Sequence, residues 1–187
     1  MTTLAPIHIP DYRDRHDRYD RFSVLLHWLM AALLIAELSL GLWMTGLPKD
    51  SSGTRAYWFN IHKSIGMTLG LLILVRLLWA FARAHVAAVP MVPLMQKMAQ
   101  ASHALLYLFM LLVPLSGFLG SVFSGYPIRY FGWKLPQLAA RWDDAKSLMS
   151  LVHEFSVYAL MLLIAVHMLA FVHHQFILKD GLIRRMY

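Results

Sequence analysis

Four long apolar runs dominate the chain: residues 22–46, 57–82, 98–123 and 148–176. Each exceeds the roughly 20 residues a helix needs to cross the hydrocarbon core of a bilayer. Charges inside them are few: Glu37 in the first, Lys63 and Arg76 in the second, none in the third, and Glu154 in the fourth. Turn-forming residues separate the runs. Gly46-Leu47-Pro48 closes the first, Pro90 and Pro93 punctuate the second link, and Gly125-Tyr126-Pro127 opens a third link spanning 124–147. That third link carries Tyr126, Tyr130, Phe131, Trp133 and Trp142, amphipathic rings that favour the headgroup zone of a membrane. Pro114 inside the third run predicts a kink. The pattern predicts an all-α fold, a transmembrane four-helix bundle over 22–187, preceded by a polar tail over 1–21. The tail alternates Arg with Asp and lacks the apolar stretch of a signal peptide.

Composition sharpens this assignment. Of 187 residues, 59% are hydrophobic and 14% charged, with no cysteine. A soluble domain carries about 25% charged residues, so membrane lipid is the expected surround. The absence of cysteine excludes disulfide scaffolds, iron–sulfur clusters, thiolate-ligated haem and c-type haem attachment. The net charge of +7 does not point to nucleic acid, because the charges sit in links between apolar runs. Arg13, Arg15, Arg18, Arg21, Arg76, Arg83, Lys97, Lys179, Arg184 and Arg185 fall on one side of the predicted topology. Lys49, Arg55, Lys63, Arg129, Lys134, Arg141 and Lys146 fall on the other, and ten against seven places both termini in the cytoplasm.

Five of the ten histidines lie in the spans: His27, His62, His103, His153 and His167. Ionisable residues in a membrane are costly and usually face the bundle interior. A lone histidine there is explained by a helix–helix hydrogen bond; five strain that account. His153 and His167 are fourteen residues apart, within about 40° of one helix face and about 21 Å apart in height. The alternating topology brings His27 to the level of His167 near the cytoplasmic side, and His62 to the level of His153 near the outer side. Two facing imidazoles in apolar surroundings suit the axial positions of a b-type haem, so two haems are expected in the core. Zinc would want four ligands, and neither level offers obvious others. Gly41, Gly66, Gly70 and Gly117 either give a macrocycle room or allow close helix packing. Arg76, fourteen residues after His62, sits at the inner level, where it either meets a haem propionate or snorkels.

These features resemble the bacterial cytochrome b561 family, small four-span di-haem proteins of the inner membrane. The resemblance covers about residues 18–187. It rests on DRYDRFSVLLHWLM (17–30), FNIHKSIGMTLGLLILVRLLW (59–79), ASHALLYLFMLLVPLSG (101–117) and VHEF…AVHMLAFVHHQFILKD (152–180). It implies His27, His62, His153 and His167 as haem ligands, the set that topology also selects, and electron exchange with ubiquinone. One similar protein type oxidises superoxide at the outer haem. His103 is then a contact for quinone or propionate, or a structural hydrogen-bonding group. His173 and His174 either meet a quinone carbonyl or cap an interfacial helix. Glu37 is expected to point into the bundle, while His8, His16 and His85 are expected in solvent.

The resulting expectation is a membrane oxidoreductase linking a periplasmic one-electron donor, superoxide among the candidates, to the ubiquinone pool. The basic outer links would steer a small anion, and Lys63, next to His62, is the best single candidate for that role. Two other readings remain. One is a cytochrome subunit that docks a separate dehydrogenase or hydrogenase, with the basic rim facing an acidic redox protein. The other is a haem-free transporter or assembly anchor.

Overall fold

The computed structural model describes residues 19–83, 92–179 and 186. Its helices are α1 (Arg21–Thr45), α2 (Thr54–Ala82), α3 (Pro93–Val122) and α4 (Asp143–Val172), the last continuing into a π-helical turn, His173–Leu178. All four are long and apolar enough to cross a membrane. The shortest, at 25 residues, extends about 38 Å, beyond a hydrocarbon core of about 30 Å. Helices α2, α3 and α4 start at Thr54, Pro93 and Asp143, three to five residues before the apolar runs suggested. The first turns of α2 and α4 are helical without being apolar. Proline suits the first helical position of α3, and Asp143 and Asp144 suit the positive end of α4. Pro114 lies within α3, which runs through it. Most of the 1–21 tail, with His8 and His16, lies outside the described residues, as does His85.

Asp20 caps α1. Its carboxylate accepts the Ser23 backbone N–H at 2.9 Å and the Ser23 hydroxyl at 2.6 Å. It also accepts Trp79 Nε1–H at 3.2 Å and pairs with Arg83 at 3.4 Å, tying the start of α1 to the end of α2. Partial burial pushes this carboxyl up, but the hydrogen bonds from Ser23 and Trp79 and the Arg83 charge outweigh it and hold it below its ordinary value.

Large apolar side chains such as Leu25, Ile35, Leu71, Leu78, Phe81, Leu162 and Leu169 face outward, as lipid requires. The packed core is small: Leu26, Met30 and Ile73, with Leu72, Leu77, Tyr107, Met110 and Leu111 against them. Among the described residues, the most extensive backbone approach is between consecutive helices, α1–α2, α2–α3 and α3–α4. Gly70 serves close packing, since a Cβ there would stand 3.3 Å from Pro114 Cβ.

Part of the third link folds into a two-stranded hairpin, β1 (Arg129–Tyr130) and β2 (Trp133–Lys134), with Tyr130 opposite Trp133. Phe131 and Gly132 turn it with φ of +45° and +93°, the geometry of a type I′ loop. Helix α2 holds the hairpin in place. Ser64, 1% exposed, accepts the Phe131 N–H at 2.9 Å, and Tyr130 and Thr68 hydroxyls stand 3.2 Å apart. The hairpin is thereby latched two residues from His62. Trp133 remains 81% exposed, and Tyr126, Phe131 and Trp142 are exposed as well.

Candidate functional site

The outer level is the better defined. His62 on α2 and His153 on α4 place their ring centres 6.3 Å apart, with planes at 83°. Two imidazole–metal bonds of about 2.0–2.1 Å in line, with the offset from each ring centre to its nitrogen, span about 6 Å. The observed separation of the ring centres is of that size. Each ring also has a polar neighbour at Nδ1. His153 Nδ1 stands 2.9 Å from the Val113 carbonyl, which fixes the tautomer that donates there and leaves Nε2 free. His62 Nδ1 stands 2.8 Å from Glu37 Oε1. A metal-bound histidine commonly has such a backbone or carboxylate partner on its second nitrogen. The Glu37 contact is short but not aligned along a ring N–H, so His62 Nδ1 and both Glu37 oxygens lack a well-directed hydrogen bond among the described residues.

Glycines shape this level, though not as the sequence reading framed them. A Cβ on Gly117 would come within 2.9 Å of His153 Cε1, and one on Gly41 within 3.2 Å of His62 Cε1. Their missing side chains make room for the imidazoles themselves. Gly66 leaves space for Glu37, whose Oε1 would lie 3.3 Å from an added Cβ.

At the inner level the structure gathers three imidazoles. His103 and His167 have ring centres 5.8 Å apart, and both lie within electrostatic reach of His27, as does Arg76. Helices α3 and α4, which carry His103 and His167, pack along one another. Arg76 donates Nε–H to the Tyr107 hydroxyl at 3.2 Å, while its buried Nη1 has no partner among the described residues. An unpartnered guanidinium nitrogen fits a carboxylate such as a propionate. Further along α4, His173 and His174 form an edge-to-face pair at 5.9 Å in the π-helical turn. Such turns recur at functional sites.

Lys63 is half-buried, and among the described residues it makes no ion pair. Among those residues, too, histidines and carboxylates do not gather in threes around a metal-sized space. At the outer level the donor set is thus two imidazoles, which fits a planar tetrapyrrole, while at the inner level three imidazoles lie together. Sequence reasoning missed Val113, whose contribution is a backbone carbonyl, and Ser64, an unremarkable serine until the hairpin folds onto it.

Comparison with known proteins agrees. Residues 18–187 match the prokaryotic cytochrome b561 family. The chain is 30% identical over 176 residues to cytochrome b561 homolog 2 of Escherichia coli K12, covering 91% of each protein. It is 29% identical over 174 residues to cytochrome b561 homolog 1 of the same organism, covering 91% of this chain and 97% of the relative. A probable superoxide oxidase of Yersinia pestis is 25% identical over 175 residues, covering 91% and 96%. With four membrane-length helices and a match across almost its whole described length, the chain belongs to the prokaryotic cytochrome b561 family and is a multi-pass membrane cytochrome b.

Proposed function

We propose that the protein is a membrane oxidoreductase with two b haems that carries electrons from a periplasmic one-electron donor to ubiquinone. The observation that carries this reading is the outer histidine pair, ring centres 6.3 Å apart, with His153 Nδ1 held by the Val113 carbonyl and His62 Nδ1 beside Glu37. His62 and His153 would hold the outer haem, and His27 and His167 the inner one, about 21 Å further along α4. Arg76 would receive an inner propionate. Haem b, when bound, supplies reversible one-electron iron chemistry.

The chain's own residues define the rest. With an imidazole from each side, His62 and His153 would leave no position on the iron for a substrate, so these residues would act by position and charge. Lys63, with Arg129 and Lys134 on the latched hairpin, makes the outer approach basic and suits an anionic donor. We assign superoxide as that donor, a choice supported by the name of the Yersinia relative. Each superoxide gives up one electron and leaves as dioxygen. Two such electrons, with two protons from the cytoplasmic side, convert one quinone to quinol. His103, His173 and His174 lie at the inner end and are assigned to the quinone side. The excess of Lys and Arg supports both termini in the cytoplasm.

The purified protein should be red, and a pyridine haemochrome assay should count two haems per chain. His62→Ala or His153→Ala should remove the outer haem, and His27→Ala or His167→Ala the inner one, each leaving about one. Equal loss of both haems in all four variants, with the helical fold intact, contradicts the two-level assignment. A superoxide pulse at low salt that leaves the oxidised haems unreduced, while dithionite reduces both, removes superoxide and favours docking to a separate dehydrogenase.

A further inference from the structure

Glu37 sits in the middle of α1, 6% exposed, in a helix with no other charged side chain beyond its first residue. A buried carboxylate without partners is costly, so a residue of this kind calls for an explanation. Its Oε1 is 2.8 Å from His62 Nδ1, and neither oxygen has a well-directed hydrogen bond among the described residues. Gly66, four residues after His62, clears space for Oε1, and Gly41 clears space for the His62 ring. The carboxylate is therefore built into the bundle against one imidazole.

We propose that Glu37 is a positioning residue for the outer haem, holding His62 through Nδ1 and making it the more strongly donating of the two axial imidazoles. The inference rests on the reading of His62 as an axial ligand. If Nε2 of His62 is given to iron, the ring proton must sit on Nδ1, and Glu37 Oε1 is the acceptor beside it. A carboxylate acceptor raises ligand basicity and places negative charge near the iron, which favours the oxidised form. His153 has only the neutral carbonyl of Val113 in the equivalent place. Glu37 would therefore lower the potential of the outer haem relative to the same site without it, acting against the positive charge of neighbouring Lys63.

The test is a spectroelectrochemical titration of the full-length, haem-loaded protein in detergent, comparing wild type with Glu37→Gln, which keeps size and removes charge. One of the two midpoint potentials should rise, and it should be the component missing from His62→Ala; the other should not move. A tenfold loss of binding to the oxidised form alone reads as about 59 mV. Haem titration of the apoprotein should show a 10- to 100-fold weaker outer site. Gly66→Ala, which crowds Oε1 without changing its charge, should shift the same component by less, and it serves if Glu37→Gln does not assemble. Unchanged potentials and affinities in these variants, with both haems present, overturn the role of Glu37 and leave the ligand assignment standing. Retention of both haems in His62→Ala overturns the ligand assignment itself.

Discussion

Gly117→Ala is a one-methyl test of how tightly the outer site is specified. The added Cβ would lie 2.9 Å from His153 Cε1 and 3.0 Å from Nδ1. Ordinary carbon contacts sit at about 3.5–4.0 Å, so the ring must retreat by roughly 0.5–1 Å. It has little freedom to do so. Nδ1 is held at 2.9 Å by the Val113 carbonyl, and a retreat of that size would stretch the bond to the edge of hydrogen-bonding distance. Axial ligation tolerates errors of only about 0.5 Å. Overpacking of this kind costs about 1–3 kcal/mol, or roughly a five- to 150-fold loss of outer-haem affinity. The measurement is haem titration of the apoprotein followed by the low-spin absorption spectrum, with Gly46→Ala as the control. Its Cβ would meet only Trp43 O, at an ordinary 3.5 Å. Two low-spin haems bound with wild-type affinity in Gly117→Ala would refute the idea that this glycine is reserved for the His153 ring.

Two further predictions bear on charge. Lys63→Gln should slow haem reduction by superoxide roughly tenfold or less at low salt, with the difference shrinking near 0.1 M as screening reaches about 10 Å, while reduction by quinol is unchanged. Equal rates in wild type and variant would leave Lys63 a snorkelling residue. Asp20→Ala should destabilise the protein by about 1 kcal/mol at neutral pH through loss of the α1 cap, measured by thermal melting in detergent. Because the folded-state pKa of Asp20 is lowered, its charge-dependent stabilisation is complete above the unfolded value of about 3.9 and disappears as pH falls through the folded one. The gap between wild type and Asp20→Ala should narrow on acidification, and a gap that widens would contradict the sign of that shift.

The four spans were legible because lipid imposes a long apolar run that no soluble helix needs. The two levels were legible because fourteen residues is nearly a whole number of turns, so the spacing of His153 and His167 carries depth as well as face. Helix starts were not, since the polar first turns at Thr54 and Asp143 satisfy helix-end chemistry rather than burial. The closeness of His103 to His167 was also hidden, because it depends on how α3 and α4 pack. Val113 could not have been found, because any residue supplies a carbonyl. Glu37 was visible as an anomaly, but its partner was not, because ten residues along α1 from His27 says nothing about which neighbouring helix it faces.

The contact pattern among the helices has a consequence for assembly. Among the described residues, helices consecutive in sequence make the most extensive backbone approach. The proposed ligand pairs join helices that are not consecutive, His153 to His62 and His167 to His27. On this arrangement iron coordination would tie those helices together. Ligand binding to the folded form alone stabilises it in proportion to ligand supply. Cells short of haem would then hold the protein in a less stable form, open to membrane proteases, and its abundance would follow cofactor availability without any dedicated regulator.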